Sequence, residues 1–164
     1  MKLKRLPKRT LSESTRHWMS VRGYAPSDLN QPGSNGDTAL IRATREGAIA
    51  IVQELLNAGA NVNTTNKDGN NALWFACRGD RFDLISLLVR TNICINNQND
   101  NGATALMYAA SVGKVDVVRL LLRAGASPML ANLDDFTAVD FASTVDVLKL
   151  LRHAIYRHEE EMFG

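Results

Sequence analysis

A period of 33 residues runs through most of this 164-residue chain and decides what it can fold into. Gly36, Gly69 and Gly102 lie one period apart, and Asp135 takes the next step. A repeat of this length predicts one supersecondary unit stacked on copies of itself, because a single unit cannot bury its own apolar face. Two apolar series keep the same interval: Leu40, Leu73, Leu106 and Val139, and Ala43, Ala76, Ala109 and Ala142.

Each unit carries the pattern of two amphipathic helices. In the third unit, apolar residues fall at helical spacing before Gly113 and again after it. Aromatic residues make up only 6% of the chain, so aliphatic side chains and alanine must form the core. The two faces of the third unit are Ala105, Leu106, Ala109 and Ala110, and then Val117, Val118, Leu121 and Leu122.

Glycines stand where the helices should end, because a left-handed C-cap favours glycine. The second unit has Asp80 and Asn92 in these positions. Since Asp and Asn tolerate the left-handed conformation, we expect both of them to adopt it. The glycines are Gly47 and Gly113 between paired helices, and Gly59 and Gly125 after the second helix.

The phrase that opens each unit resembles that of the ankyrin-repeat family, whose unit is a turn and two antiparallel helices announced by T-P-L-H-x-A. Ala replaces the family's Pro, and its His is replaced by Ile41, Trp74, Met107 and Asp140. The resemblance implies an all-α solenoid of about four stacked helix-turn-helix units, slightly softened by these losses. The matching phrases are Thr38-Ala39-Leu40, Asn71-Ala72-Leu73, Thr104-Ala105-Leu106 and Thr137-Ala138-Val139.

We divide the chain into two regions. Residues 1–34 are predicted to hold a basic arm over the first nine residues, then an N-terminal capping helix over about Leu11 to Arg22 and a loop. Thr10 and Glu13 have the spacing of a capping box at the start of this helix. Residues 35–164 form the repeat domain, with units at about 35–67, 68–100, 101–133 and 134–164, the last of them shortened.

The ends of the stack depart from the repeat, because the outer faces of terminal units meet water. Residues 28–30 (Asp-Leu-Asn) stand one period before residues 61–63 (Asn-Val-Asn), and we interpret them as the tail of a degenerate unit. The C-terminal end carries His153 and His158, whose spacing of five residues does not place both on one helical face. We therefore interpret them as part of a charged helix end rather than as metal ligands.

By the same resemblance, the turns and the first helix of each unit line a concave groove that binds a partner protein. Positions that differ between units can vary without damaging the stack, so we expect the residues that recognise the partner to lie at these positions. Aromatic and arginine side chains are enriched at interface hot spots, although packing between repeats is the alternative for Phe75, Tyr108, Phe141 and especially Trp74. The predicted contact residues are Asp37, Asn70 and Phe136 in the turns, and Arg42, Arg45, Glu46, Phe75, Arg78, Tyr108 and Ser111 on the first helices.

The sequence offers no arrangement of residues that would support catalysis. A phosphate-binding glycine loop, a Ser-His-Asp order and a paired-carboxylate site are all missing. Cys77 takes a position filled elsewhere by small residues, which predicts a buried thiol, whereas Cys94 is the more exposed of the two by pattern. We expect a non-catalytic interaction module or adaptor that uses no cofactor and no metal.

Charge is divided unevenly along the chain. Residues 1–34 carry seven Lys or Arg against two acidic residues, a net charge of +5, whereas the remainder carries −3. An alternative function is therefore a nucleic-acid-binding or regulatory adaptor that uses the basic arm. Nucleic-acid binders normally present a coherent basic face, so we favour a partner protein of unknown identity over nucleic acid.

The expected compartment follows from the apolar runs and the cysteines. No apolar run approaches the roughly 20 residues needed to cross a bilayer, and none of signal-peptide length follows the basic start. The two cysteines match neither a CxxC motif nor a zinc spacing, which fits a reducing compartment. We expect a cytoplasmic protein that has no membrane partner and is a monomer when free.

Overall fold

The computed structural model describes residues 10–163, and this part of the chain is built from helices. The β-type pairing in this part of the chain is an isolated antiparallel bridge between Ala131 and Thr137. The all-α repeat solenoid predicted from the 33-residue period is confirmed. The helices are α1 (Glu13–Val21), α2 (Ala39–Glu46), α3 (Ile49–Ala58), α4 (Ala72–Arg78), α5 (Phe82–Val89), α6 (Ala105–Ser111), α7 (Val115–Arg123) and α8 (Val145–Phe163).

The helices stack in two rows. The first row contains α2, α4 and α6, each packed on the next, and the second contains α3 against α5 and α7 against α8. Within a unit, α2 packs on α3, α4 on α5 and α6 on α7. One apolar core runs between the rows, from Met19 at one end to Leu151 at the other, and both of these side chains are fully buried.

A side-chain cap replaces the missing proline at the start of each first helix. Thr38, Asn71 and Thr104 each accept a hydrogen bond from the backbone N–H three residues on. This bond satisfies one of the helix's unpaired N–H donors and holds the first turn, which is the function of an N-cap. The opening phrase therefore keeps its structural role although Ala has replaced Pro.

Left-handed residues end the helices where the sequence predicts them, with one exception. Gly47, Gly113 and Asp80 have φ angles of +74°, +71° and +53°. The prediction for Asn92 is wrong, because α5 ends on Arg90 in the right-handed conformation and Asn92 is not among the positive-φ residues. The carbonyl of Asn92 instead accepts a hydrogen bond from the side chain of Asn63, which holds this loop without a left-handed residue.

Asparagine side chains tie successive units together. The Oδ1 atoms of Asn30, Asn63 and Asn96 accept hydrogen bonds of 2.8, 2.7 and 2.8 Å from backbone N–H groups 31 residues further on. The three asparagines are one period apart, and Asn30 makes the same bond as the other two. The segment that contains Asn30 thus contributes to the stack in the way that the tail of a full unit does.

The N-terminal helix begins two residues later than the capping box implied. Its N-cap is Ser12, whose Oγ accepts a hydrogen bond from the N–H of Thr15, so the prediction of a cap at Thr10 is wrong. In a capping box the third helical residue binds the N–H of the cap. Here Glu54 of α3 provides that carboxylate, at 2.9 Å from the backbone nitrogen of Ser12. The predicted basic arm over residues 1–9 lies outside the described residues.

The fourth unit retains only its second helix. Asp140, which stands at the histidine position of the family phrase, accepts hydrogen bonds from the N–H and the hydroxyl of Thr137 at 2.7 and 2.8 Å. These bonds close residues 137–142 into turns where a first helix would lie. The second helix, α8, is the longest in the described part of the chain and packs on α7 as the end of the stack.

Candidate functional site

The turns and first helices of the first two units enclose a depression on the α2–α4–α6 face. Its volume is about 590 Å³, within the range of ligand pockets in proteins. Four of the residues that the sequence predicts as contacts come together here: Arg45, Asn70, Phe75 and Arg78. Trp74 and the turn residue Asp68, which the sequence did not single out as contacts, complete the wall with Asn35, Asn66 and Gly79.

Arg45 connects the two units across this depression. Its guanidinium lies 4.3 Å from the centre of the Phe75 ring and forms a 2.9 Å ion pair with Asp37. Arg45 is exposed, whereas Phe75 is 6% and Asp37 3% exposed. Phe75 and Asp37 therefore hold Arg45 in place and shape the wall, and Arg45 presents the charge to solvent.

Asn70 is also a buried part of the wall. Its Oδ1 accepts a hydrogen bond from the Nδ2 of Asn99 at 3.1 Å, and its backbone N–H donates to Asn66. Asn66 and Asn99 stand one period apart in successive turns, so these bonds link the turns to each other. Packing and hydrogen bonding between repeats account for Asn70, as they do for Phe75.

Glu46 is the centre of a charge cluster at the N-terminal end of the face. Its carboxylate lies 2.9 Å from Arg22 and 2.6 Å from Arg42. Burial raises the pKa of Glu46, but the hydrogen bonds from the two arginines outweigh it and hold the pKa below its ordinary value. Arg22, which was not among the predicted contacts, also lies 4.4 Å over the ring of Trp18 and so connects α1 to this cluster.

Aromatic side chains pack between the second and third units. The rings of Trp74 and Tyr108 lie 5.3 Å apart, which confirms the prediction that Trp74 packs on the neighbouring unit. Tyr108 is half-buried, and the ammonium of Lys114 stands 5.4 Å from its ring while pairing with Asp80 at 2.8 Å. Neither Lys114 nor Asp80 was among the predicted contacts, because their proximity depends on how the two units stack.

The exposed residues of this face are distributed along the whole stack. Ser111 is exposed and donates to the carbonyl of Tyr108, while Arg78 is exposed and has no ion-pair partner within residues 10–163. Phe136 is 51% exposed at the tip of the fourth turn, with its ring edge against Phe141 at 6.0 Å.

Leu133 adds to the apolar surface at this tip. It is 75% exposed, the highest value among the large hydrophobic residues that the structure describes. Leu133 was not among the predicted contacts, although comparing the units shows that it is unusual at its position. The equivalent positions in the two preceding units are Lys67 and Asp100, so Leu133 breaks a charged series.

The two cysteines differ in their surroundings as expected. Cys77 is fully buried and Cys94 is exposed. Burial raises the pKa of the Cys77 thiol to about 12, with Lys114 lowering it and Asp80 raising it to smaller extents. Among the residues that the structure describes, no group of three or more His, Cys, Asp or Glu side chains is arranged to hold a metal ion.

A stack of helix pairs that displays a continuous, partly preformed face defines the class of α-solenoid scaffolds. A family model described as ankyrin repeats, in three copies, matches residues 45–132 and 83–158. These matches span well over half of the chain, and the protein belongs to the ankyrin-repeat family. No curated protein sequence matches the chain significantly.

Membership of the family has a general functional meaning. Ankyrin repeats mediate protein–protein interactions, and domains built from them are typically non-catalytic. Within the described range, no helix combines the length and the apolar character needed to span a membrane.

Proposed function

We propose that this protein is a non-catalytic adaptor that binds one partner protein through its α2–α4–α6 face and the adjacent turn tips. The observation that carries the proposal is the depression of about 590 Å³ with Arg45 and Arg78 at its edge. We call this depression, with the exposed Phe136 and Leu133 at the far end of the face, the groove face.

The charges of the groove face favour an acidic partner segment. The guanidinium of Arg45 is already paired with Asp37, whereas Arg78 has no ion-pair partner in the described chain. Arginine binds carboxylates in a bidentate geometry and is enriched at interface hot spots. A carboxylate of the partner would therefore bind at Arg78, with Trp74 beside it as an apolar surface.

The far end of the groove face supplies an apolar anchor. Phe136 and Leu133 expose much of their surface at a turn tip, where burial against a partner is the main stabilising contribution available to them. A partner that reaches both ends would use an acidic residue near the depression and an apolar residue near the fourth turn. The exposed residues Arg42, Glu46 and Ser111, with the half-buried Tyr108, would form the rim between them.

Most of the groove face is held in place before any partner binds. Arg45 is fixed by Asp37 and Phe75, and Trp74 and Tyr108 pack on each other. A preformed surface loses less conformational entropy on binding than a mobile one. We therefore propose binding with little rearrangement, by a protein that is a monomer when free and acts in the cytoplasm.

A capture experiment tests this assignment with matched variants. Wild-type protein is compared with Arg78→Glu/Phe136→Ser on the groove face and with Arg90→Glu/Val21→Ser, which makes the same charge reversal and replaces another exposed apolar residue by serine elsewhere. Arg90 and Val21 are exposed and lie at the ends of α5 and α1. Each protein carries a photo-crosslinker at Ser111, and circular dichroism verifies that both variants are folded.

We expect a crosslinked protein that appears with wild type and the control pair and disappears with the groove pair. Equal capture by both pairs would refute the groove face as the binding site. A variant without residues 1–9 tests the alternative based on the basic arm. Recovery of nucleic acid that depends on the arm and falls steeply with added salt would support that alternative instead.

A further inference from the structure

A second depression lies on the other row of helices, between α7 and α8. Its volume is about 720 Å³, which is larger than that of the depression on the groove face. Residues of α7 form one wall, residues of α8 form the other, and the loop after α7 closes the end. We call it the α7–α8 cleft.

Five basic side chains surround the α7–α8 cleft. Arg119 and Arg123 come from α7, and His153, Arg157 and His158 come from α8. All five are exposed, and among the side chains that the structure describes no carboxylate lines the cleft. None of the five forms an ion pair with another described residue.

This concentration of charge stands out against the rest of the repeat domain. The chain beyond residue 34 has a net charge of −3, so a cleft whose described ionisable residues are all basic is a local feature. Both histidines line the cleft, although a spacing of five residues separates them by about 140° around the helix. Their side chains approach the cleft from either side of a line through Leu150, Ala154 and Arg157.

The floor of the cleft is apolar. Leu122 and Leu150 are half-buried, as is Ala154, and Ala126 and Pro128 are buried beneath them. A free phosphate ion would use the basic rim but not this floor. A ligand that fits both has carboxylates spaced around an apolar side chain, which describes a short acidic peptide.

We propose that the α7–α8 cleft binds an acidic peptide segment of another protein, with carboxylates at the arginines and an apolar side chain on the floor. Arginine donates two parallel hydrogen bonds to a carboxylate, which gives such a site both strength and orientation. Proteins that bind single-stranded nucleic acid offer aromatic rings on which bases stack, and no aromatic residue lines this cleft among the side chains that the structure describes. Nucleic-acid binding also requires a basic surface that extends along the backbone, whereas this one is confined to a single cleft.

Fluorescence anisotropy with defined probes tests the proposal. The main probe is a fluorescein-labelled peptide in which glutamates alternate with leucine. The comparison probes are the same peptide with lysine in place of glutamate and a labelled oligonucleotide of equal charge. The protein is the full chain, as wild type, as Arg123→Glu/Arg157→Glu in the cleft, and as the matched control Arg16→Glu/Arg90→Glu, which lies outside both the cleft and the groove face.

We expect the acidic peptide to bind wild type and the control pair, and to bind the cleft pair at least about tenfold more weakly. The lysine peptide should show the reverse preference. Because all four arginines are exposed, the variants should retain the circular dichroism spectrum of the wild type.

Three results would overturn the proposal. The first is equal weakening by the cleft pair and the control pair, which would mean that the peptide responds to net charge alone. The second is tighter binding of the oligonucleotide that is lost in the cleft pair, which would make the cleft a nucleic-acid site. The third is no binding of the acidic peptide to folded wild type at low salt. Each result leaves the groove face proposal untouched, since that proposal concerns the other row of helices.

Discussion

Two glycines with the same backbone conformation have different neighbours in this fold. Gly102 has a φ of +71°, and a Cβ placed on it would lie 2.8 Å from the backbone nitrogen of Leu133. Gly125 has a φ of +95°, and a Cβ there would meet nothing within 4 Å. Of these two glycines, Gly102 is the one at which a repeat approaches the backbone of the next too closely for a side chain.

Substitution by alanine should separate these two effects. Both Gly102→Ala and Gly125→Ala place a Cβ on a left-handed residue, which costs roughly 1–2 kcal/mol. Gly102→Ala should lower the free energy of unfolding further, because the steric overlap forces adjacent turns apart. Urea unfolding monitored by circular dichroism measures both variants, and equal losses would show that the close approach has no energetic effect.

Thiol reactivity gives a second prediction at this scale. Only about one in ten thousand Cys77 thiols should be ionised near pH 8, because its pKa is about 12, and its side chain is fully buried. We expect native protein to react with one equivalent of a thiol reagent, at Cys94, and unfolded protein to react with two. The Cys94→Ser variant should react only after unfolding. Rapid reaction of two thiols in native protein would show that Cys77 is accessible.

One carboxylate of the stack holds the start of the capping helix α1. Glu54 of α3 accepts hydrogen bonds from the N–H of Ser12 at 2.9 Å and from its hydroxyl at 3.0 Å. These bonds hold the pKa of Glu54 below its ordinary value. A carboxylate with a lowered pKa in the folded state stabilises the fold above its ordinary pKa, and this contribution is lost as the pH falls through the folded value.

The Glu54→Gln variant tests this attachment. We expect it to be less stable than wild type at pH 7 by about 1 kcal/mol, because one charged hydrogen-bond acceptor is replaced by a neutral one. Its stability should also fall less steeply than that of wild type between about pH 5 and pH 3. Thermal melts across this range, monitored by circular dichroism, measure both effects. Glu160→Gln, at an exposed position in the last turn of α8, is the control and should be no less stable than wild type.

The molecule as a whole is a stack in which each unit is stabilised by its neighbours. Backbone bonds connect successive turns, from Lys67 to Asn35 and from Leu133 to Asn101, and the core is continuous between the units. The central units have neighbours on both sides. The last unit has one neighbour and lacks a first helix, so it gains less stabilisation from the stack.

Hydrogen exchange should reveal this gradient of stability. We expect the slowest exchange in the amides of α4 and α6, most of whose apolar residues are fully or nearly fully buried. Residues 133–144, where turns replace a helix, should exchange fastest among the repeats. Mass spectrometry of peptic fragments measures both regions, and uniform protection along the chain would contradict a stack with a weaker C-terminal end.

Much of the fold was predictable because the repeat states the same local pattern several times. Comparison of the units identified the helix pairs, the left-handed positions at Gly47, Gly113 and Asp80, the buried Cys77 and the family. These properties depend on residues near each other in sequence, where helical periodicity and glycine conformation act directly. The failure at Asn92 has a non-local cause, since the loop is held by a hydrogen bond from Asn63 in the preceding unit.

The candidate sites were only partly predictable, because they depend on side chains that meet across repeats. From residue type alone, both Phe75 and Arg45 were predicted to contact a partner, but stacking of the units buries Phe75 beneath Arg45. The α7–α8 cleft likewise brings Arg119 and His158 to one space although 39 residues separate them. The sequence by itself thus determined the repeated unit and its caps through local backbone and periodicity effects. Only the tertiary structure decided which side chains are covered and which charges face one cleft, because burial and electrostatic proximity arise from distances between units.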